Sequence, residues 1–202
     1  MAFARIEREA PSKGFEVSCA GAFPFIVSRE LFVRLALHLG QELTEAEYHE
    51  LRELQRQHEC KVQGLRYLAM REHTRFELVQ KLLKKRFEQR TIVVVLDQLI
   101  AENLLSEYRY ARLFIEGRLR RKVEGRAMMA RRLSAKQVNH GDAQRALDEL
   151  YTEEMTALYV RRAYQGTIAK VGEQNIRYAL QKIGFSAYEI RLALEEWGGE
   201  DA

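Results

Sequence analysis

Between Leu105 and His140 the chain carries ten basic side chains against three acidic ones. The basic residues are Arg109, Arg112, Arg118, Arg120, Arg121, Lys122, Arg126, Arg131, Arg132 and Lys136; the acidic ones are Glu107, Glu116 and Glu124. This local excess exceeds the net +4 of the whole chain. Arginine's planar fork donates paired hydrogen bonds to a phosphate or a carboxylate. The chemistry offered is therefore recognition of anions, either a phosphate backbone or an acidic protein surface. Three- and four-residue spacing places Arg118, Arg121 and Lys122 on one helix face. The candidate partner- or DNA-binding residues are Arg109, Arg112, Arg118, Arg121, Lys122, Arg126, Arg131 and Arg132.

Other chemistries find no support in the residue pattern. There is no glycine-rich loop ending in Gly-Lys-Ser/Thr and no helix with paired histidines. His58, Glu59 and Cys60 are adjacent, so a helix cannot aim all three at one ion, and no second cluster completes a site. The histidines at 38, 49, 58, 73 and 140 read as surface or cap residues. We therefore expect no catalytic residue, cofactor, metal or small-molecule substrate. Tyr108 and Tyr110 have the chemistry to stack on bases, although packing is favoured for Tyr110. Met128 is a candidate for an adaptable contact, whereas Met129 falls in a core position. Cys19 and Cys60 stand in unrelated contexts, which fits a reducing compartment. The absence of a spanning apolar run and of a signal-like start leads us to expect a cytoplasmic protein without a membrane partner.

The elements that must position these residues repeat three times. Aligned on Leu82, Leu133 and Leu180, the chain shows Leu78, Met129 and Ile176 four residues earlier. Phe87, Val138 and Phe185 stand five residues later, and Ile92, Ala143 and Ile190 ten later. Val95-Leu96, Ala146-Leu147 and Ala193-Leu194 follow, and then Leu99, Leu150 and Trp197. Anchors 51 and 47 residues apart suit a helical repeat, in which each unit buries its apolar side on the next. The spacing predicts helices near 59–71, 74–86 and 88–102, then 106–122, 125–135 and 140–150, then 152–166, 171–183 and 186–197. Thr44-x-x-Glu47, Thr74-x-x-Glu77 and Ser186-x-x-Glu189 read as capping boxes. The first opens a long charged helix running to about Met70.

Ahead of the repeats, residues 1–13 read as polar and frayed. Phe15, Val17 and Cys19, then Phe23, Phe25 and Val27, alternate as in a two-stranded hairpin broken at Ala20-Gly21-Ala22. Ser28 reads as the N-cap of a lead-in helix and Gly40 as its stop. The expected fold is mainly α: three tandem three-helix repeats in an elongated array, with a short N-terminal β-hairpin and lead-in helix. The expected divisions are 1–57 for the extension, 58–104, 105–150 and 151–202 for the repeats. A base-reading helix-turn-helix protein is disfavoured. Third helices would supply the groove-reading side chains, and here they are TIVVVLDQLIAE, GDAQRALDELY and SAYEIRLALEEW, apolar or acidic.

Leu68 to Leu82 has the form LA-x-R-x-x-[ST]-x-x-EL-x-x-KL. It is followed by Val95-Leu96, Asn103-Leu104-Leu105-Ser106-Glu107, Arg109-Tyr110-Ala111, Phe114-Ile115, Gly125, Gly184-Phe185 and Ile190. This succession resembles the RecX family, bacterial regulators of the recombinase RecA, over about residues 14–197. Two departures stand out: Glu107, where many members have Asp, and Lys136-Gln137-Val138, where a glycine is usual in the turn. The resemblance implies a three-helix repeat fold, no catalysis, and binding to a RecA-type filament on single-stranded DNA. It implies that the repeats lie in the filament groove, bridge protomers and most simply inhibit recombinase, ATPase and coprotease activity. This places the chain in DNA repair, homologous recombination and the SOS response. Single- or double-stranded DNA remains a second partner, and non-specific DNA binding without a recombinase the alternative function.

Overall fold

The computed structural model describes residues 3–10, 14–19 and 23–200. Among them are four strands and ten helices. The strands are β1 (Ala4–Ala10), β2 (Gly14–Cys19), β3 (Phe25–Ser28) and β4 (Glu42–Leu43), in sheet order β3-β2-β1-β4. The expected hairpin is β2–β3, antiparallel with Phe15 opposite Val27 and Val17 opposite Phe25. Its Ala20-Gly21-Ala22 break lies outside the described residues.

Two expectations for this region are corrected. Residues 4–10 are a strand, not a frayed start, and pair with both β2 and β4. Only Ala4, Ile6 and Ala10 point inward along β1, so its charged face hides the alternation. The lead-in helix α1 (Arg29–Arg34) is also shorter than expected. Ser28 caps it as foreseen, but Ala36 turns left-handed at φ 50° and ends it. Gly40, at φ 83°, instead donates its N–H to the Ile6 carbonyl at 2.7 Å and returns the chain to the sheet. Ile6, Val17, Val27, Leu31 and Tyr48 form the centre of a core between this sheet and the helices.

Helix α2 (Glu45–Met70) is continuous through residues 57 and 58. No proline interrupts it, and Thr44 and Glu47 close a full capping box at its start, at 2.8 and 3.3 Å. Backbone donation from Thr44 holds the Glu47 carboxyl below its usual range. Then come α3 (Arg75–Lys84), α4 (Gln89–Ala101), α5 (Glu107–Arg121), α6 (Arg126–Ala135) and α7 (His140–Leu150). The last three are α8 (Glu153–Val171), α9 (Glu173–Lys182) and α10 (Ala187–Glu200). Contacts divide the chain into one compact unit of Met1–Ala69 with Val79–Leu104, and a second of Met70–Leu78 with Leu105–Ala202.

Most of the repeated apolar positions are interior, while Phe87, Leu150, Leu194 and Trp197 are half-buried. Leu82, Leu133 and Leu180 are each fully buried, as are Leu78, Met129, Ile92, Val95 and Leu96. Repeats two and three share one cluster running from Tyr110 to Ala193. The middle helix of each repeat ends alike. Arg86, Gln137 and Gly184 take positive φ of 64°, 54° and 104°. The next amide, of Phe87, Val138 or Phe185, donates back to the carbonyl of the anchor leucine at 3.2–3.3 Å. This is a Schellman ending, with an apolar side chain folded back on the helix. The glycine missing from the second repeat does not abolish it: Gln137 adopts the left-handed conformation.

A second contact joins repeats two and three. Gly125 is the N-cap of α6 and has no side chain to cap it. The orphan amides are met from the third repeat: Gly125 N–H donates to Ile183 O at 2.9 Å and Ala127 N–H to Gly184 O at 3.3 Å. A Cβ on Gly125 would overlap the Gly184 carbonyl, and one on Gly184 would stand 2.6 Å from Met128. Each glycine thus allows a backbone approach that any larger residue would block.

Candidate functional site

The basic stretch occupies α5, the link after it, and α6. Ser106 caps α5, accepting the Arg109 N–H at 3.2 Å. Tyr110, Ala111, Ile115 and Leu119 face the core, which turns Arg112, Arg120 and Arg121 outward. The helix stops at Arg121. Lys122 is extended, at φ −151°, so it does not continue the face of Arg118 and Arg121 as the spacing suggested.

The arginines then separate into two groups. Glu124 is nearly fully buried, 2% exposed, just before α6. Arg132 grips it with two bonds, at 2.6 and 2.8 Å, and Arg118 adds a third at 3.2 Å. Burial alone would raise the Glu124 carboxyl, but the two guanidiniums outweigh it and hold it below the usual carboxylate range. Arg109 pairs with Glu72 at 2.6 Å, and Arg112 with Glu116 and Glu149 at 3.1 Å each. Arg126 reaches Asp148 at 2.6 Å and Gln144 at 2.9 Å. These five arginines fasten helices together. Arg120, Arg121, Lys122 and Arg131 are exposed and have no carboxylate partner among the described residues; Arg121 bonds only the Gly117 carbonyl, at 3.1 Å.

Glu107, the residue that departs from the usual Asp, has a structural task. One carboxylate oxygen accepts the Arg75 N–H at 2.8 Å, and the other the Asn139 N–H at 2.6 Å. A single side chain thus satisfies amides at the starts of α3 and α7, where negative charge is favourable. His73 corrects an expectation. It is 1% exposed, not a surface residue, with Nδ1 3.0 Å from the Glu77 carboxylate. Burial works against ionisation of Glu77, yet His73 and Arg71 lower its pKa. Glu77 is therefore committed to these partners, and the Thr74 box is made only from the Thr74 side, at 3.1 Å.

Tyr110 is buried and stacks near Phe114, as packing favoured. Tyr108 donates to Glu149 and carries Arg145 4.2 Å over its ring, so its face is occupied. Met128 is half-buried against Gly184. Cys60 is buried in α2, which pushes its thiol up to about 11 and leaves it a poor ligand or nucleophile at neutral pH. No group of three or more His, Cys, Asp or Glu among the described residues is placed to hold a metal ion. No helix among them is long and apolar enough to cross a membrane. A second, shorter cationic run, Lys84-Lys85-Arg86, lies in KLLKKRFEQR and is exposed.

Comparison with known proteins gives a consistent result. The family description "RecX, first three-helix domain" matches residues 60–99. "Regulatory protein RecX" of Halorhodospira halophila is 35% identical over 135 residues, 64% of this chain and 83% of that protein. The protein of the same name from Treponema pallidum is 29% identical over 163 residues, 79% of this chain and 99% of the relative. Among solved structures, "Crystal structure of regulatory protein RecX" superposes with a TM-score of 0.81 at 19% identity, covering 95% of this chain and all of that one. RecX from Lactobacillus salivarius gives 0.62 at 21% identity, covering 70% and 96%. At these identities the structures speak to the fold.

Proposed function

The chain belongs to the RecX family of regulatory proteins, and from that premise we propose that it binds RecA-type recombinase filaments in the cytoplasm and restrains their activity. No covalent step is involved. Binding favours one filament state over another, and a ligand shifts such an equilibrium only by its differential affinity for the two states. Strand exchange, ATP turnover and coprotease action would all fall together.

The observation that carries this reading is the division of the basic stretch. After internal ion pairs are made, Arg120, Arg121, Lys122 and Arg131 remain exposed on the second repeat without carboxylate partners among the described residues. Arg109, Arg112, Arg118, Arg126 and Arg132 contribute by holding that surface in place through their ion pairs. The test is DNA-dependent ATP hydrolysis by RecA with substoichiometric amounts of this protein. The wild type should inhibit. The variant Arg121→Glu/Lys122→Glu/Arg131→Glu should inhibit at least tenfold less strongly, with weaker salt dependence. Arg118 is left intact because a Glu there would face buried Glu124. Undiminished inhibition by a folded triple variant would remove the second repeat from the interface. Binding to a bare strand as tight as to a RecA-coated one would favour the DNA-binding alternative.

A further inference from the structure

The open edge of the N-terminal sheet lies within the first compact unit, on residues the filament reading does not use. β3 is an outermost strand and pairs only with β2. Its Ser28 N–H turns away from β2 and donates to the Gln55 side chain of α2 at 2.9 Å. Gln55 is buried, and its own amide donates to Glu59 at 3.0 Å. A glutamine thus stands where a further strand would bond. Main-chain groups along an antiparallel strand alternate in direction. Ile26, two residues before Ser28, therefore also presents its N–H and C=O on the outer side. Neither group has a partner on that side among the described residues.

A groove of about 1120 Å3 opens along this edge, lined by Pro24, Phe25 and Ile26 from the sheet and by Arg52, Gln55 and Arg56 from α2. Most of its charges cancel. Arg56 pairs with Glu59 at 3.3 Å. Arg90 pairs with Glu88 at 2.9 Å and lies 3.9 Å from Glu53. Arg52 is exposed and is left over, with no carboxylate partner among the described residues. Stable proteins close their sheet edges with proline, charge or a covering element. Here proline stands at position 24 and Gln55 covers Ser28, while the donor and acceptor of Ile26 between them stay open.

We propose that this edge takes a short extended peptide bearing a carboxylate, added as a further strand with its main chain bonded to Ile26 and its carboxylate to Arg52. A strand supplies what the position asks for, an N–H for the Ile26 carbonyl and a carbonyl for the Ile26 N–H. A DNA backbone has no donor for that carbonyl. The carboxylates of Glu53, Glu59 and Glu88 in the groove also repel a run of phosphates. A basic peptide would make the same main-chain bonds but leave Arg52 facing like charge.

The test is fluorescence anisotropy of a labelled, end-blocked octapeptide of alternating threonine and glutamate, with the full chain and no recombinase present. The wild type should bind it, and should bind the threonine–lysine counterpart about fivefold less tightly. Ile26→Pro removes the open donor at an edge position, where proline leaves the pairing with β2 intact. Affinity should fall about tenfold, with the circular dichroism spectrum unchanged. Ile26→Val keeps the donor and should bind like wild type. Arg52→Gln should abolish the preference for glutamate over lysine. Hydrogen exchange reads the site in the wild type, whatever Ile26→Pro does to folding. The Ile26 amide should exchange rapidly in the free chain and about tenfold more slowly with peptide bound. The idea fails if the peptide does not bind, if that amide is already slow or is unmoved by the peptide, or if Arg52→Gln keeps the preference. It fails if a folded Ile26→Pro variant binds like wild type, which would place the peptide on arginines elsewhere. It fails equally if (dT)20 displaces the peptide and protects the Ile26 amide in its place, which would mark a polynucleotide as the occupant. Because no recombinase is present, these outcomes leave the filament reading of the second repeat untouched, and failure of that reading leaves this one standing.

Discussion

Replacing Gln137 by glycine should make the protein more stable, and replacing Gly184 by alanine should make it markedly less so, although the two occupy the same slot of successive repeats. Gln137 holds φ 54° with its side chain exposed. The left-handed conformation costs a non-glycine residue about 1–2 kcal/mol. Glycine returns about 0.4–1 kcal/mol of this through its freer unfolded chain. The net gain is about 0.5–1 kcal/mol, or about 1–4 °C in Tm for a chain of this size. At Gly184 both terms run the other way. Alanine takes on the left-handed cost, and its Cβ would stand 2.6 Å from the Met128 Cβ and backbone N. With about 1–3 kcal/mol for overpacking added to the same net of about 0.5–1 kcal/mol, the loss is about 1.5–4 kcal/mol, and Tm should fall by about 3–16 °C. Both residues lie in the second compact unit, so thermal and urea unfolding followed by circular dichroism compare them on the same transition. A destabilised Gln137→Gly, or a Gly184→Ala variant melting with wild type, would refute the assignment of strain to this turn and of close approach to the contact with Met128.

Glu124→Gln should lower stability by about 1–2 kcal/mol at pH 7, after discounting for the third-exposed guanidiniums that hold it. Because the folded carboxyl lies below its ordinary 4.5, its contribution is present above that value and lost as pH falls through the depressed one. The Tm gap between wild type and Glu124→Gln should therefore close as pH is lowered below about 4.5; a gap constant with pH would mean that the ion pairs contribute nothing net. Leu82→Ala should cost about 2–5 kcal/mol by urea titration, since its fully buried position offers the lost methyl groups no replacement contact, and a cost below about 1 kcal/mol would show that the site collapses freely.

Much of the fold was legible in the residues because burial follows periodicity. The repeated Leu82, Leu133 and Leu180 are fully buried, and the helices predicted around them agree with α3 to α10 within about three residues at each end, except that α8 runs on to Val171 where an end at 166 is expected. Capping at Thr44 and Ser186 was equally plain, because a capping box is a contact between residues three apart. Strand β1 was not legible. Its stability comes from neighbours on two sides, and its own pattern shows few inward apolar residues. The same limit applied to α1, whose end is decided by Ala36 and by the return of Gly40 to the sheet.

The site divides in the same way. Sequence alone determined that the second repeat is rich in arginine, that three apolar frames recur, and that their order resembles the RecX family. Only the tertiary structure decided which arginines are spent on Glu72, Glu116, Glu149, Asp148 and Glu124, and which face outward. Charge is a property of each residue and can be counted along a chain. An ion pair between Arg132 and Glu124, or an amide of α6 answered by the carbonyl of Gly184, depends on where folding brings distant backbone together.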